Sequence, residues 1–177
     1  MHPRLQEITA ELARIRAKFA STVARTPEAE MQRDPGAGRW SGARLIEHLG
    51  KTEGSTAKML EGLFARGMAE GLPADESTSS LLHSLDHLRV TDRTRTIVAP
   101  ERLVPSPAPD LAAAWASLQR VRERTLAAVA TVDGRDLTRL AAPHPIFGPL
   151  DGYQWVLFTG QHEERHFLQL EEVLRDG

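Results

Sequence analysis

Four segments of this chain repeat apolar residues at intervals of three and four, the spacing that gives an α-helix one apolar face. The first covers residues 3–25, and the second follows Ser41, a residue type that caps helix N-termini. The third lies between Asp110 and Gly134, and the fourth starts at Asp151. Alternating, strand-like patterns are almost absent. Because amphipathic helices bury their apolar faces against one another, the pattern predicts an all-α four-helix bundle.

Two connections without helical periodicity separate these segments. Residues 72–109 contain four prolines near their end and are too long for a tight turn between helices. They predict a crossover that joins distant ends of the second and third helices. Residues 134–150 form the other connection. At 177 residues, positions 1–177 are expected to fold as one domain with a substantial core.

The composition excludes several classes of function. The 24 acidic and 22 basic residues leave a net charge of only -2, so a nucleic-acid partner is not expected. No apolar run approaches the ~20 residues that span a bilayer, and the polar N-terminus does not resemble a signal peptide. We therefore expect a cytoplasmic protein without a membrane partner. Because the chain has no cysteine, any thiol used in its chemistry must be supplied by a small molecule.

Three histidines fall on the apolar faces of predicted helices. His162 and His166 are four residues apart on the last helix, and His48 lies on the second. Side chains at this spacing are one turn apart on one face, so both can bind one ion. Buried imidazoles need partners, which a metal would supply. The pattern predicts a divalent metal site with an open coordination position, and hydrogen-bonded core histidines are the alternative.

The chain contains a second pair of histidines at the same spacing, but its context differs. His83 and His87 lie in a polar, irregular segment, so we do not expect them to bind the ion. His144 stands between two prolines and is interpreted as a loop residue near the site.

Two polar residues near these histidines are candidate catalytic residues. Glu53 follows His48 by five positions and is expected to flank the cavity. Gln169 follows His166 by three and is expected to line the cavity or to orient a ligand. For both, an ordinary polar position on a helix is the alternative interpretation. The charged run at residues 120–124 predicts a solvent-exposed face of the third helix.

A set of residues spread over the chain forms a wider pattern: Trp40-Ser41, His48-Leu49, His162-x-x-x-His166 and Gln169. Residues 143–155 lead into this last helix with a proline-rich and then aromatic segment. Together these features resemble the DinB/YfiT-like superfamily of proposed metalloenzymes, mainly over residues 40–53 and 143–173. The resemblance implies an up-down-down-up bundle, a zinc or nickel ion held by the three histidines, and a homodimer.

The superfamily that the chain resembles includes thiol-dependent S-transferases, mycothiol-dependent maleylpyruvate isomerases and proteins proposed as hydrolases. The first interpretation is therefore a metal-dependent enzyme that acts on a small molecule and transfers a group to or from a small thiol. Metal-dependent hydrolysis is the alternative among enzymes. The other alternative is a stress-associated metal-binding dimerisation module without turnover.

Overall fold

The computed structural model describes residues 1–176 and contains the four predicted long helices together with one short helix. Their bounds are Pro3–Arg25 (α1), Glu28–Gln32 (α2), Gly42–Ala69 (α3), Leu111–Ala130 (α4) and Gly152–Arg175 (α5). Ser41 and Asp110 cap α3 and α4 by accepting from backbone N–H groups, and Asp151 forms a capping box with Gln154 at α5. None of the helices formed by residues 1–176 combines the length and apolarity needed to cross a bilayer.

Contacts between the long helices define an up-down-down-up bundle. Helix α1 runs parallel to α5, α3 runs parallel to α4, and α3 runs antiparallel to α5. Because α3 and α4 are consecutive and parallel, residues 70–110 must return along the bundle, which explains the long crossover. The pairs that fix these directions are Arg4–Tyr153, Arg16–Glu163, Gly50–Leu118, Glu61–Arg124, Gly42–Leu170 and Phe64–Gly152.

The core consists of two apolar clusters at opposite ends of the bundle. A layer of charged side chains lies between them, with one residue from each long helix: Arg16, Glu53, Arg122 and Glu163. The prediction that residues 120–124 form a solvent-exposed face is therefore wrong at Arg122, which is 6% exposed. The physical reason is that Arg122 lies between Leu118 and Thr125, on the inward face of α4.

A β-hairpin occupies the connection before α5, where we predicted irregular structure. Strand β1 (Ala141–His144) pairs antiparallel with β2 (Gly148–Asp151), and His144 lies opposite Gly148. Three prolines within residues 143–149 argue against strands because proline cannot donate to a ladder. In a two-stranded ribbon each strand has an edge, so those prolines are tolerated.

Hydrogen bonds hold the crossover, residues 70–110, against the bundle. On α5, the Arg165 guanidinium donates to the backbone carbonyls of Val90, Asp92 and Arg95. These bonds satisfy carbonyls that have no place in a helix or sheet and hold the segment against α5. The crossover thus reaches the region where α3 and α5 meet.

Candidate metal centre

Helices α3 and α5 bring His48, His162 and His166 together. His48 and His166 are buried and His162 is half-buried. One nitrogen from each ring lies within 4.8 Å of the others, and the Nε2 atoms of His162 and His166 are 3.2 Å apart. Among residues 1–176, this is the group of histidine and carboxylate side chains arranged to hold an ion.

Hydrogen bonds fix the orientation of two of the rings. His48 Nδ1 donates to the carbonyl of Leu103 at 2.8 Å, and His166 Nδ1 donates to Gln169 Oε1 at 3.0 Å. Because a neutral imidazole carries one N–H, these bonds leave Nε2 of both rings as an acceptor, and the Nε2 of His166 is hydrogen-bonded to His162 Nε2 at 3.2 Å. A hydrogen bond from the other ring nitrogen to a carbonyl oxygen is the usual support of a metal-binding histidine.

The crossover segment that carries Leu103 is itself held by α3. Glu47 accepts from the backbone N–H and the hydroxyl of Ser106, and Lys51 donates to the carbonyl of Val104. Sequence analysis did not find this contribution, because the partner of His48 is a backbone carbonyl from an irregular segment. No side-chain pattern identifies such a partner.

Aromatic rings surround the histidines. Trp40 packs against His48 with ring centroids 4.8 Å apart, and Phe158 stacks on His162 at 5.6 Å. Such rings exclude water from one side of each imidazole and restrict its rotation. They complete a rigid, largely apolar surrounding for three polar nitrogens.

Burial keeps the three imidazoles neutral. Desolvation, with repulsion from His48 as the next cause, lowers the pKa of His162 to about 3. Desolvation also lowers the pKa of His48, and it lowers that of His166 well below the usual value, with His162 as the next cause. Neutral imidazole is the form that binds metals, so the site is ready for an ion near neutral pH.

These depressed pKa values predict a loss of stability in mild acid. Below the unfolded-state pKa of 6.5, the histidines of the unfolded chain bind protons, whereas those of the folded site stay neutral. The free energy of unfolding therefore falls as the pH decreases below 6.5. Each histidine that stays neutral contributes up to about 1.4 kcal/mol per pH unit. Urea unfolding of metal-free protein between about pH 7 and pH 5 measures this dependence. The double variant His162→Ala/His166→Ala should show a shallower slope, and equal slopes would contradict neutral histidines.

Two of the three nitrogens have the spacing of ligands on one ion. Zinc–nitrogen bonds of about 2.0–2.1 Å at tetrahedral angles place two nitrogens about 3.3 Å apart. The Nε2 atoms of His162 and His166 are 3.2 Å apart, and the three nitrogens together lie within 4.8 Å of one another. The three imidazoles could therefore hold a divalent metal ion.

The structure places the two candidate catalytic residues differently. Gln169 lies beside His166 as predicted and accepts its Nδ1–H. Glu53 is instead part of the charged layer, where Arg122 donates to both of its oxygens at 2.6 and 3.2 Å. The expectation that Glu53 flanks the cavity does not match this placement, because five helical residues turn the side chain about 140° away from His48.

The remaining histidines lie outside the group. The His83 and His87 side chains are exposed, and His83 pairs with Asp86. His144 accepts from two backbone N–H groups in the hairpin turn, and its ring packs on Phe158 at 4.6 Å. His144 is therefore a hairpin residue close to the site, and the ring of Phe158 lies between it and His162.

This chain is similar to known proteins in sequence and in fold. A family model described as the DinB superfamily matches residues 11–170, a range that includes all three histidines. "Uncharacterized protein YuaE" of Bacillus subtilis (strain 168) is 31% identical over 147 residues, covering 81% of this chain and 83% of the relative. The crystal structure of TT2238, described as a four-helix bundle protein, matches with a TM-score of 0.64 at 21% identity. That match covers 94% of this chain and 98% of the other, and it shows the fold alone.

Proposed function

This chain belongs to the DinB superfamily, and on that premise we propose that it is a metal-dependent enzyme. In this proposal His48, His162 and His166 hold one divalent ion, zinc or nickel. The observation that carries the proposal is the convergence of three neutral imidazoles, two of which carry their proton on Nδ1 and present an unprotonated Nε2.

An ion held by three protein nitrogens would supply a Lewis acid with an open position, able to lower the pKa of a bound water or thiol. The residues of the chain supply the surroundings. Leu103 and Gln169 keep two histidines in the metal-binding tautomer, while Trp40 and Phe158 shield the rings from water.

The leading reaction in this proposal is transfer of a group to or from a low-molecular-weight thiol. Because the chain contains no cysteine, the thiol in this reaction must come from outside the chain. Hydrolysis by an activated water uses the same open position and is the alternative. A metal-binding module without turnover is the other alternative, and a closed site with a fourth protein ligand would favour it.

The experiment that separates these functions uses protein in which cobalt(II) replaces the native ion. Binding of cysteine or glutathione as a thiolate should add a sulfur-to-cobalt charge-transfer band. The zinc and nickel forms are then assayed for conjugation of the same thiols to an electrophile and for hydrolysis of p-nitrophenyl acetate. Thiol binding with conjugation supports the transferase, whereas ester hydrolysis without thiol binding supports the hydrolase. A metal-loaded protein that fails in every assay would overturn the enzymatic proposal.

The contact between Gln169 and His166 predicts a measurable effect on metal affinity. Replacing Gln169 by alanine should weaken zinc binding about 10- to 100-fold, because the His166 ring loses the acceptor that fixes its tautomer. Gln169→Glu should retain tight binding, since a carboxylate accepts the same hydrogen bond. Gln161→Ala, on the same helix and also half-buried, is the matched control. Competition titration with a chelator measures all three, and equal affinities for the two alanine variants would contradict the role of Gln169.

Two further features remain predictions. We expect a homodimer, for which light scattering should give about twice the monomer mass of 19.5 kDa. We also expect the protein to act in the cytoplasm on a small molecule.

A further inference from the structure

A surface groove of about 590 Å³ lies between α3 and strand β1 of the hairpin. Its apolar lining includes Met59, Leu63 and Pro143, while Lys58 and Arg66 stand at its edge. A concavity of this size can take a small organic molecule. None of the three histidines lines this groove.

The groove continues the face of α3 that carries His48. Positions 48, 52, 55, 59 and 66 recur at helical spacing, so they lie in one line along the helix. Ser55, the groove residue nearest to the histidines in sequence, is seven residues from His48, or about 10 Å along the axis. The groove therefore lies on the same face of α3 as the candidate metal centre and ends short of it.

The opposite wall of the groove, strand β1, is linked by side-chain contacts to His162. Strand β1 is fixed to α5 because Trp155 donates its indole N–H to the carbonyl of Ala142, a groove residue. From this strand, His144 packs on Phe158 at 4.6 Å, and Phe158 stacks on His162 at 5.6 Å. Both sides of the groove thus connect through ordered contacts to a histidine of the site.

An unpartnered hydroxyl lies between the groove and His48. Thr52 Oγ1 is shielded from solvent and makes no hydrogen bond to any group of residues 1–176. A threonine hydroxyl within a helix commonly bonds a carbonyl of the preceding turn, so this free hydroxyl is unusual. Because this hydroxyl is shielded and Thr52 is not part of the groove lining, Thr52 separates the groove from His48.

The charge at the groove edge indicates the class of ligand. Neither Lys58 nor Arg66 forms an ion pair with another residue of the described chain, 1–176, and both are exposed. Apolar side chains between two free cations complement a molecule with an apolar body and a negative charge.

We propose that this groove is a binding site, separate from the three histidines, for a small anionic molecule with an aromatic or alkyl body. The anionic group lies between Lys58 and Arg66, and the apolar body packs on Met59 and Leu63. The groove ends at Ser55, about 10 Å along α3 from His48.

The test uses 4-phenylbutyrate as the probe and its neutral analogue 4-phenylbutan-1-ol as the comparison. Backbone amide NMR of the full-length protein, with and without zinc, reports where each probe binds. We expect 4-phenylbutyrate to shift the amides of Ser55, Gly62 and Ala142, which line the groove. The alcohol should bind about three- to tenfold more weakly because it lacks the charge.

Two sets of variants locate the binding. Gly62 lines the groove, and a Cβ at this position would meet no atom within 4 Å, so Gly62→Leu fills the groove without a clash. It should abolish probe binding while the helix becomes no less stable. Lys58→Gln/Arg66→Gln should weaken 4-phenylbutyrate to the level of the alcohol. Lys18→Gln/Arg120→Gln, which changes two exposed cations of α1 and α4, should leave binding unchanged.

The outcomes separate this inference from the proposed function. Groove binding in metal-free protein supports the groove site even if no metal-dependent activity is found. If zinc binds to the histidines but 4-phenylbutyrate does not shift Gly62, the groove site is refuted while the metal centre stands. Equal binding by Gly62→Leu and the unchanged protein, or shifts confined to other surfaces, would also overturn the inference.

Discussion

Replacing Arg122 by alanine should lower the free energy of unfolding by about 3–5 kcal/mol. Arg122 donates to Glu53 and to Glu163 at 2.6 Å each, in the charged layer between the two apolar clusters. Glu163 and Glu53 are 1% and 5% exposed, so both carboxylates are shielded from bulk water. Arg16 alone would then face two buried carboxylates. An incompletely compensated buried charge is costly, whatever the net value of the intact cluster.

The matched control lies two residues further along α4. Arg124 pairs with Glu61 at 2.7 Å, but both side chains are exposed, so Arg124→Ala should cost no more than about 1 kcal/mol. Urea unfolding of both variants gives the two free energies, with unchanged m-values as evidence that the folded state is retained. Similar, small losses for both variants would show that the buried layer does not contribute as its geometry indicates.

The second large effect concerns the metal. An ion that binds only the folded chain stabilises it by about 4 kcal/mol when its free concentration is 1,000 times its dissociation constant. We therefore expect zinc or nickel to raise the melting temperature of the chelator-treated protein. The double variant His162→Ala/His166→Ala should lose this response, because two of the three converging nitrogens are gone.

The chain offers a matched control for this double variant. His83 and His87 have the same spacing of four residues, but their side chains are exposed and lie outside the histidine group. His83→Ala/His87→Ala should keep the full response to metal. If both double variants responded alike, the stabilisation would come from another binding site.

The helices and the histidine site could be predicted because both depend on local periodicity. Ser41, Asp110 and Asp151 cap the helices from adjacent positions, and the apolar faces determine which side of each helix is buried. A histidine on such a face is expected to point into the bundle, so the inward placement of His48 and His166 could be predicted from the sequence.

The features that were missed depend on contacts between distant segments. The burial of Arg122 requires carboxylates from two other helices, and the charged residues near it in sequence are exposed. The position of Glu53 follows from the same cluster. The hairpin was hidden by its prolines, which forbid central strands but not a two-stranded ribbon.

Metal analysis of the chain produced without a histidine tag tests the central claim most directly. After incubation with zinc or nickel and removal of loosely bound ions, the protein should retain about one divalent ion per chain, as a single three-histidine site requires. The His162→Ala/His166→Ala variant, treated identically, should retain almost none. An unmodified chain that retains no ion, or a double variant that retains as much as the unmodified chain, would contradict the account.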